Sequence, residues 1–596
     1  MKKIILVTVL IMACIFSASG CSDGKGPNGQ DPDLKYDEKY LSPSYHEVDE
    51  SGYTVYYFDS ANGSDAADGK SQQTAKKTVE EANRIVAGLA EDYTPTKLLF
   101  KRGASFTDVV FNLSGYAAPK DKPLIADAYG DGTDYPEFAA NGQPYTVYLT
   151  SSNTRINNLG ISNSTGKTGI TVRANDGGAL ENVVIEGCYI HDVNWRWNRP
   201  ENSDEIPLNI DEVRGIVSDA DFNYSNGGII FDTHSVSKNQ PAWYQDVWIV
   251  GNTVRRVARS GMFLTTQWAR RPGMDWGVNK YSDEETGFYP SRRVVIKDNF
   301  VTHTGGDGIV LLGSRNSFIE GNTSYHANYL GRSGFYNAGI WPHSCVDLVI
   351  QYNEAAYARL DNGGGDGEGF DIDVGCENIY FQYNYSHHNA GGGLLLCNTG
   401  SEQFTFHDAE GNVTRRETVV PAWKNVYVRN NVFVNNGKKG HPSMLVLSSY
   451  MTDIYVENNT VIMPKGQISQ DLLLIDDFTN KYGIAERLFF RNNIFAAPKD
   501  SFAGMDVLKS NQYLFENNLF YNFSESDLNA ANVFDQLNFD PQITLPQTFD
   551  GYENFASFKA ENPLVYQKGI LLEKMAKYDI AGNDVTDIKY IGAFGK

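Results

Sequence analysis

Three short stretches, VVIKDNFV (294–301), SFIEGNTS (317–324) and LVIQYNEA (348–355), share one layout. A few apolar residues lead to a short polar pair, then Asn, then a return toward apolar or small residues. The layout recurs as VVIEGCYI (183–190), VWIVGNTV (247–254), IYFQYNYS (379–386), VYVRNNVF (426–433), IYVENNTV (454–461), LFFRNNIF (488–495) and YLFENNLF (513–520). The asparagines are Asn252, Asn299, Asn322, Asn353, Asn384, Asn431, Asn459, Asn493 and Asn518, the closest of them 23 to 31 residues apart. Wider gaps equal one such period plus an inserted loop.

A strand this short cannot bury a face alone, whereas stacked copies form parallel sheets around one continuous core. An Asn at one fixed place per coil can bond the Asn of the next coil and its own turn backbone, which satisfies groups buried at a sharp corner. The expected fold is therefore all-β, a single right-handed parallel β-helix (a solenoid) with an Asn ladder, an N-terminal capping helix and inserted loops. A β-propeller would need a longer and more even period.

A second motif follows most ladder positions: a glycine that opens another strand, as in Gly228-Ile-Ile-Phe-Asp232, Gly261-Met-Phe-Leu-Thr265, Gly308-Ile-Val-Leu-Leu312, Gly339-Ile-Trp-Pro-His343, Gly369-Phe-Asp-Ile-Asp373 and Gly393-Leu-Leu-Leu-Cys397. The first and third residues after each Gly are apolar throughout, so they face the core, and the second and fourth face outward. The stretch GDGEGFDIDVG (365–375) carries four carboxylates, and this register puts Asp371 and Asp373 together on the outer face. Residues two apart on a strand sit about 6.5–7 Å apart and neighbouring coils about 4.8 Å apart. His343 is thus expected beside Asp373, and Trp341 beside Asp371.

The 596-residue chain has a net charge of −22, which argues against a nucleic-acid partner. Its 35 Tyr and 32 Phe, with abundant carboxylates, lean toward carbohydrate handling. Lys2 and Lys3 precede an apolar run, Ile4 to Phe16, that ends in Ser17-Ala18-Ser19-Gly20-Cys21. That run is too short and wrongly flanked for a spanning helix and reads as a secretory signal. The small residues before Cys21 resemble a bacterial lipoprotein signal. The resemblance implies cleavage before Cys21, lipidation of its thiol, and a place in the bacterial cell envelope, tied to a membrane by the lipid. The expected organisation is a signal over 1–20, a flexible tether over 21–49, an entry and cap over 50–140, coils over 141–540, and a closing segment over 541–596. The cap contains a helix near Thr78–Leu89 with Val79, Ala82, Val86 and Leu89 on one side. Cys188, Cys345, Cys376 and Cys397 match no zinc spacing. A Cys345–Cys376 pair is left open, with buried free thiols expected.

Tyr56-Tyr-Phe-Asp-Ser-Ala-Asn-Gly-Ser-Asp65, the helix that follows, the turn Tyr129-Gly-Asp-Gly132, the repeats, and the ending Asp579-Ile-Ala-Gly-Asn583 with Ile591-Gly-Ala-Phe594 look like secreted bacterial right-handed β-helix proteins. That group includes glycoside hydrolases and polysaccharide lyases, so the resemblance implies a fold and leaves the chemistry open. The Asn-Thr-Asp, Gly-Asp-Asp, Gly-His-Gly and Arg-Ile-Lys motifs of polygalacturonases are absent.

The leading expectation is glycoside hydrolysis, in which one carboxylic acid protonates the leaving oxygen and a second carboxylate activates water or attacks the sugar. Asp371 and Asp373 supply the pair, and their spacing falls near the lower edge of the inverting range. His343 would tune Asp373 or hold a hydroxyl, and Trp341 would stack on a sugar ring. Asp232, Asp307 and Glu368 extend or edge the face as substrate contacts, with Arg315 beyond it. A plainer reading leaves Asp366, Glu368 and Asp371 as solvating groups of a turn. The runner-up chemistry is uronate elimination, with Ca²⁺ held by the carboxylates and Arg315 or Arg332 as base. The outward positions carry no basic side chain, which favours hydrolysis. The third reading is a noncatalytic glycan binder using Trp195, Trp197 and Trp268, residues that loop packing would explain equally well. His303, His326 and His387-His388 are expected to line a corner. The partner is a poly- or oligosaccharide, and the expected state is a monomer.

Overall fold

The computed structural model describes residues 37–175, 177–195, 222–233, 240–268, 288–331, 336–360, 366–398, 402–407, 412–419, 423–437, 441–448, 451–463, 470–477, 486–497, 503–507, 513–523, 525–530, 533–544 and 554–595. Cys21, residues 22–36 of the expected tether, Trp197 and Arg332 lie outside them. Three parallel sheets of 14, 13 and 12 strands, here sheets A, B and C, run along the described residues. Each coil visits C, A and B in turn, as in Ile309–Leu312, Ser314–Glu320 and Thr323–Tyr325, before returning to C at Ile340–His343. The repeats stack in register: Ile296 pairs with Ile319, Ile319 with Ile350, and Ile350 with Phe381. All four are buried in the core, so one apolar column fixes the alignment of four coils.

The Asn ladder forms as expected. Asn353 Nδ2 donates to Asn384 Oδ1 (3.0 Å) and to the Ile319 carbonyl (2.8 Å). Its Oδ1 accepts the Asn322 backbone N–H at 2.9 Å. The same pattern links all nine asparagines from Asn252 to Asn518. Cys188 has no amide and so starts the ladder only as a backbone donor to Asn252 Oδ1. Gln536 Oε1 ends it by accepting from Asn518. The residue before each ladder Asn is left-handed, which explains Gly251, Asp298, Gly321, Asn430 and Asn458 there. Tyr352 and Tyr383 hold the same conformation (φ 57° and 58°) despite their bulk. Their rings stack 5.0 Å apart and are buried in an apolar cluster with the C-terminal segment, which offsets a strain of about 1–3 kcal/mol each. A second short ladder at the next corner joins Asn389 Nδ2 to Asn436 Oδ1 at 3.0 Å.

The helix Val79–Gly88, N-capped by Thr78, buries Val79, Ala82 and Val86, with Leu89 just beyond it, against the first coils. The coils begin earlier than residue 141: sheet A starts at Thr54–Phe58. The early strands Ser105–Thr107 and Phe111–Leu113 are three residues each, too short to display a period. The tether expected to reach residue 49 is docked from its described start. Pro43 accepts a hydrogen bond from Trp248 Nε1 (2.9 Å), Tyr45 donates to Glu186 (2.6 Å), and Gln351 donates to the Tyr40 carbonyl (2.8 Å). This segment therefore runs along the outer face of sheet A. The far end is approached by the helix Glu525–Ala530, whose Leu528 joins the main core with Val533. Ile580, Ile591 and Phe594 instead pack outside sheet B against Val432, Ile462 and Ile494. The last segment is thus a strap along a side. Cys188, Cys345, Cys376 and Cys397 are buried thiols, none of them in a disulfide.

Candidate active site

The glycine-opened strands build sheet C, and their alternation is as expected. Phe370 and Ile372 are buried in the core, and Phe370 pairs with Ile340 and Leu394 on the flanking strands. Gly369 lies in the strand Glu368–Ile372, where a Cβ would fall 2.4 Å from Ser386 Oγ and 2.5 Å from Asn389 Nδ2 and would push those side chains aside. The strand Glu368–Ile372 then points Asp371 outward, and Asp373 follows two residues later. The backbone N–H of Asp373 donates to the Pro342 carbonyl at 3.1 Å, which seats Asp373 beside His343.

This outer face is not open. Asp371 and Asp373 are 8% and 7% exposed, and His343, Trp341 and Glu368 are buried as well. Ile230, Phe263, Val310, Leu312 and Trp341 form an apolar cluster on the face, with Tyr224 packed against it. Tyr224 stacks on Phe263 at 5.5 Å and meets Trp341 edge-on at 6.4 Å. The described end of the insertion over 189–225 therefore walls the face.

Burial sets the acidity of the cluster. Asp371 is raised well above an ordinary carboxyl by desolvation, then by the charges of Asp373, Asp366, Glu368 and Asp307. Glu368 is raised in the same direction by burial and by Asp366. Asp373 is pushed up to about 6 by burial, a rise limited by hydrogen bonds from the Val374 N–H and the Cys397 thiol. Among the described residues, Asp371 Oδ1 and Glu368 Oε2 are buried without a hydrogen-bond partner. Such atoms cost about 1–3 kcal/mol each and mark a place where a ligand would supply the missing bond.

Several expected contacts take other roles. Asp307 is fully buried: its Oδ2 accepts from Arg259 Nη1 at 2.5 Å and its Oδ1 from Trp341 Nε1 at 2.9 Å and the Ala338 N–H at 3.1 Å. With both oxygens engaged, Asp307 holds the Trp341 ring and does not face a substrate. Asp232 pairs with Arg173 four coils away from Asp371. Arg315 is exposed on a strand of sheet A, around the Gly313 corner from the carboxylate face. Trp195 packs with Phe222, Ala258, Tyr329 and Leu330, and Trp268 is fully buried in the core, so neither is a sugar platform. His303 and His326 do line one corner, their rings tilted 35° to each other with centroids 4.6 Å apart.

Sequence reasoning missed Arg259, whose partner lies 48 residues away. The signal available was an Arg immediately before the strand-opening Ser260-Gly261. It also set aside Asp366, a partly exposed residue whose charge bears on both Asp371 and Glu368. Tyr336, 67% exposed, stands at the same rim: the neighbouring Asn337 carbonyl accepts the Gly367 N–H at 3.0 Å. Among the described residues no group of three His, Cys, Asp or Glu side chains is arranged to hold a metal ion. Nor is any helix among them long and apolar enough to cross a membrane.

Fold and site together define a right-handed parallel β-helix with a buried carboxylate cluster on one sheet face. The family model for the right-handed β-helix region matches residues 278–410, the coils that carry His343, Asp371 and Asp373. The chain is 26% identical over 573 residues to a lacto-N-biosidase of Bifidobacterium longum subsp. longum, a match covering 81% of this chain and 32% of that relative. It thus spans about a third of the length of the curated relative. The crystal structure of the GH136 lacto-N-biosidase from Eubacterium ramulus superposes with a TM-score of 0.50 at 22% identity, over 71% of this chain and 65% of that one. The A-module of the Azotobacter vinelandii mannuronan C-5 epimerase AlgE6 gives 0.40 at 14% identity. At 22% identity the lacto-N-biosidase structure speaks to the fold alone.

Proposed function

We propose that this protein is a glycoside hydrolase acting on a neutral glycan, with Asp371 as proton donor and Asp373 as the ionised carboxylate. The observation that carries the reading is geometric: Asp371 and Asp373 stand two residues apart on one sheet face, both buried, and among the described residues Asp371 Oδ1 has no hydrogen-bond partner. Asp371 is held protonated well above the usual range, while Asp373 ionises near pH 6. A pair of carboxyls pushed apart in this way divides acid from base. Asp371 gives its proton to the glycosidic oxygen as the C–O bond breaks. Asp373 serves the anomeric carbon, either by taking a proton from the attacking water or by attacking directly. His343 and Trp341, on the preceding coil, shape the surroundings of the pair. The relatives named lacto-N-biosidase support the same class and suggest a glycan bearing lacto-N-biose.

Uronate elimination is the weaker reading. It needs a cation to neutralise a substrate carboxylate. Among the described residues of this face, the cation beside the cluster is Arg259, and Asp307 engages it. A substrate carboxylate would meet Asp366, Glu368, Asp371 and Asp373 instead. The lipoprotein reading is kept as part of the proposal: lipid on Cys21 would hold the β-helix at the cell envelope, and palmitate labelling lost in Cys21→Ser tests it.

Leaving-group dependence tests the roles. Asp371→Asn should lose activity on natural glycans by a factor of about 10²–10⁴, yet keep much of it on aryl glycosides whose leaving group needs no proton. Asp373→Asn should lose both. If Asp366→Asn shows the donor pattern and Asp371→Asn does not, the assignment of the acid to Asp371 is wrong.

A further inference from the structure

A second concave site lies on the same sheet face, four coils toward the N-terminus, or about 19 Å at 4.8 Å per coil. It is a cleft of about 400 Å³, toward the small end of ligand pockets, which run to about 300–1,000 Å³. Its floor is a two-point ion pair: Arg173 Nε and Nη2 donate to Asp232 Oδ1 and Oδ2 at 2.8 and 3.1 Å. Both side chains stay partly exposed, at 21% and 14%. Around them stand Thr171, Thr266, Gln267 and Tyr145. Gln267 is anchored through its backbone N–H to Thr233 Oγ1 (2.8 Å), while its buried Oε1 has no hydrogen-bond partner among the described residues. The Tyr145 ring is braced by Tyr148, stacked 4.3 Å away at 14°. The cleft is cut off from the carboxylates by the apolar cluster of Ile230, Phe263, Val310 and Trp341, so it is not an extension of that site.

We infer that this cleft is a second, noncatalytic glycan-binding site that takes one or two neutral sugar units. An ion pair with both partners fixed offers a hydroxyl-bearing ligand what it needs. The remaining carboxylate lone pairs accept from one sugar hydroxyl, and the remaining guanidinium N–H donates to its neighbour. The Gln267 carbonyl supplies another acceptor already stripped of water. The Arg173 and Asp232 charges cancel, which suits a neutral ring. Lys167 stands exposed at the rim. The ligand class rests on the glycan reading proposed above; the position of the site does not.

The test is titration calorimetry of the full chain carrying Asp373→Asn, so that glycans stay uncut, with lactose, lacto-N-biose and xylobiose, and with glucuronic acid as the charged probe. At least one neutral disaccharide should bind. Asp232→Asn and Gln267→Ala should each weaken it about tenfold or more. Ser225→Trp, which fills the cleft and leaves the ion pair intact, should abolish it even if Asp232→Asn proves unstable. Cleft variants that bind as the parent does would overturn the inference, as would no binding by any neutral probe or a preference for glucuronic acid. If glycans are cleaved but the cleft variants bind unchanged, the second site alone fails. If disaccharides bind through Asp232 while no glycan is cleaved, the hydrolase reading fails and the binding site stands.

Discussion

Removing the Asn353 side chain should cost far more than its size suggests. Asn353→Ala deletes four buried hydrogen bonds: two accepted by Oδ1 from Asn322, and two donated by Nδ2 to Ile319 and Asn384. Not all four partners are stranded. Asn322 Nδ2 keeps the Ile296 carbonyl, and Asn384 Oδ1 keeps the Asn353 backbone N–H. The Asn322 N–H and the Ile319 carbonyl lose the partner that the ladder gave them. At about 1–3 kcal/mol for each buried group left unmade, the loss is about 4 kcal/mol. Gln536→Ala, at the partly buried end of the ladder where water can substitute, should cost about 1 kcal/mol. Urea denaturation followed by circular dichroism measures both, with amide exchange at Asn322 as the local probe, since a solenoid need not unfold in one step. An Asn353→Ala loss below about 0.5 kcal/mol, the scale of a surface change, would refute the role given to the ladder. So would unaltered exchange at Asn322.

Three further outcomes are expected. Asp307→Ala leaves Arg259 charged in the core and should destabilise by about 3–5 kcal/mol, whereas the double change Arg259→Met with Asp307→Leu recovers most of it; a double-mutant cycle measures the difference. Asp373 has a folded-state pKa raised to about 6 from 3.8. The native state therefore holds a proton that the unfolded chain has lost, and stability falls as pH rises from about 4 to 6. Asp373→Asn should accordingly be more stable than the parent at pH 8, with a gap that closes toward pH 4, read by thermal unfolding across pH; a gap that grows on acidification contradicts the buried carboxyl. Deleting residues 1–47 should uncover Trp248, which is 5% exposed, and shift tryptophan emission to the red without loss of β-sheet ellipticity. An unshifted spectrum contradicts the docked strap.

What was legible in the chain was what repeats. The ladder asparagines, the left-handed residue before them and the apolar alternation after each strand-opening glycine recur coil after coil, because each coil must meet the same steric demand as the last. The cap helix was legible from its own period. The straps were not, since residues 37–46 and 554–595 gain order only by lying on finished sheets and carry no period. At the site, alternation identified Asp371, Asp373, His343 and Trp341 as neighbours. It could not reveal that the face is roofed, because burial there comes from insertions such as the one bearing Tyr224. Asp307 was misjudged for the same reason: its partner Arg259 reaches it from a different coil. Asp366 looked like a turn residue, and only its electrostatic effect on Asp371 and Glu368 ties it to the cluster.

The most direct measurement is mass spectrometry of the products formed from lacto-N-biose-bearing and other neutral oligosaccharides in heavy-oxygen water. Hydrolysis at the Asp371–Asp373 pair predicts one labelled water gained per bond cleaved, absent in Asp373→Asn. Unsaturated products lighter by one water, or labelled products that persist in both Asp371→Asn and Asp373→Asn, would contradict it.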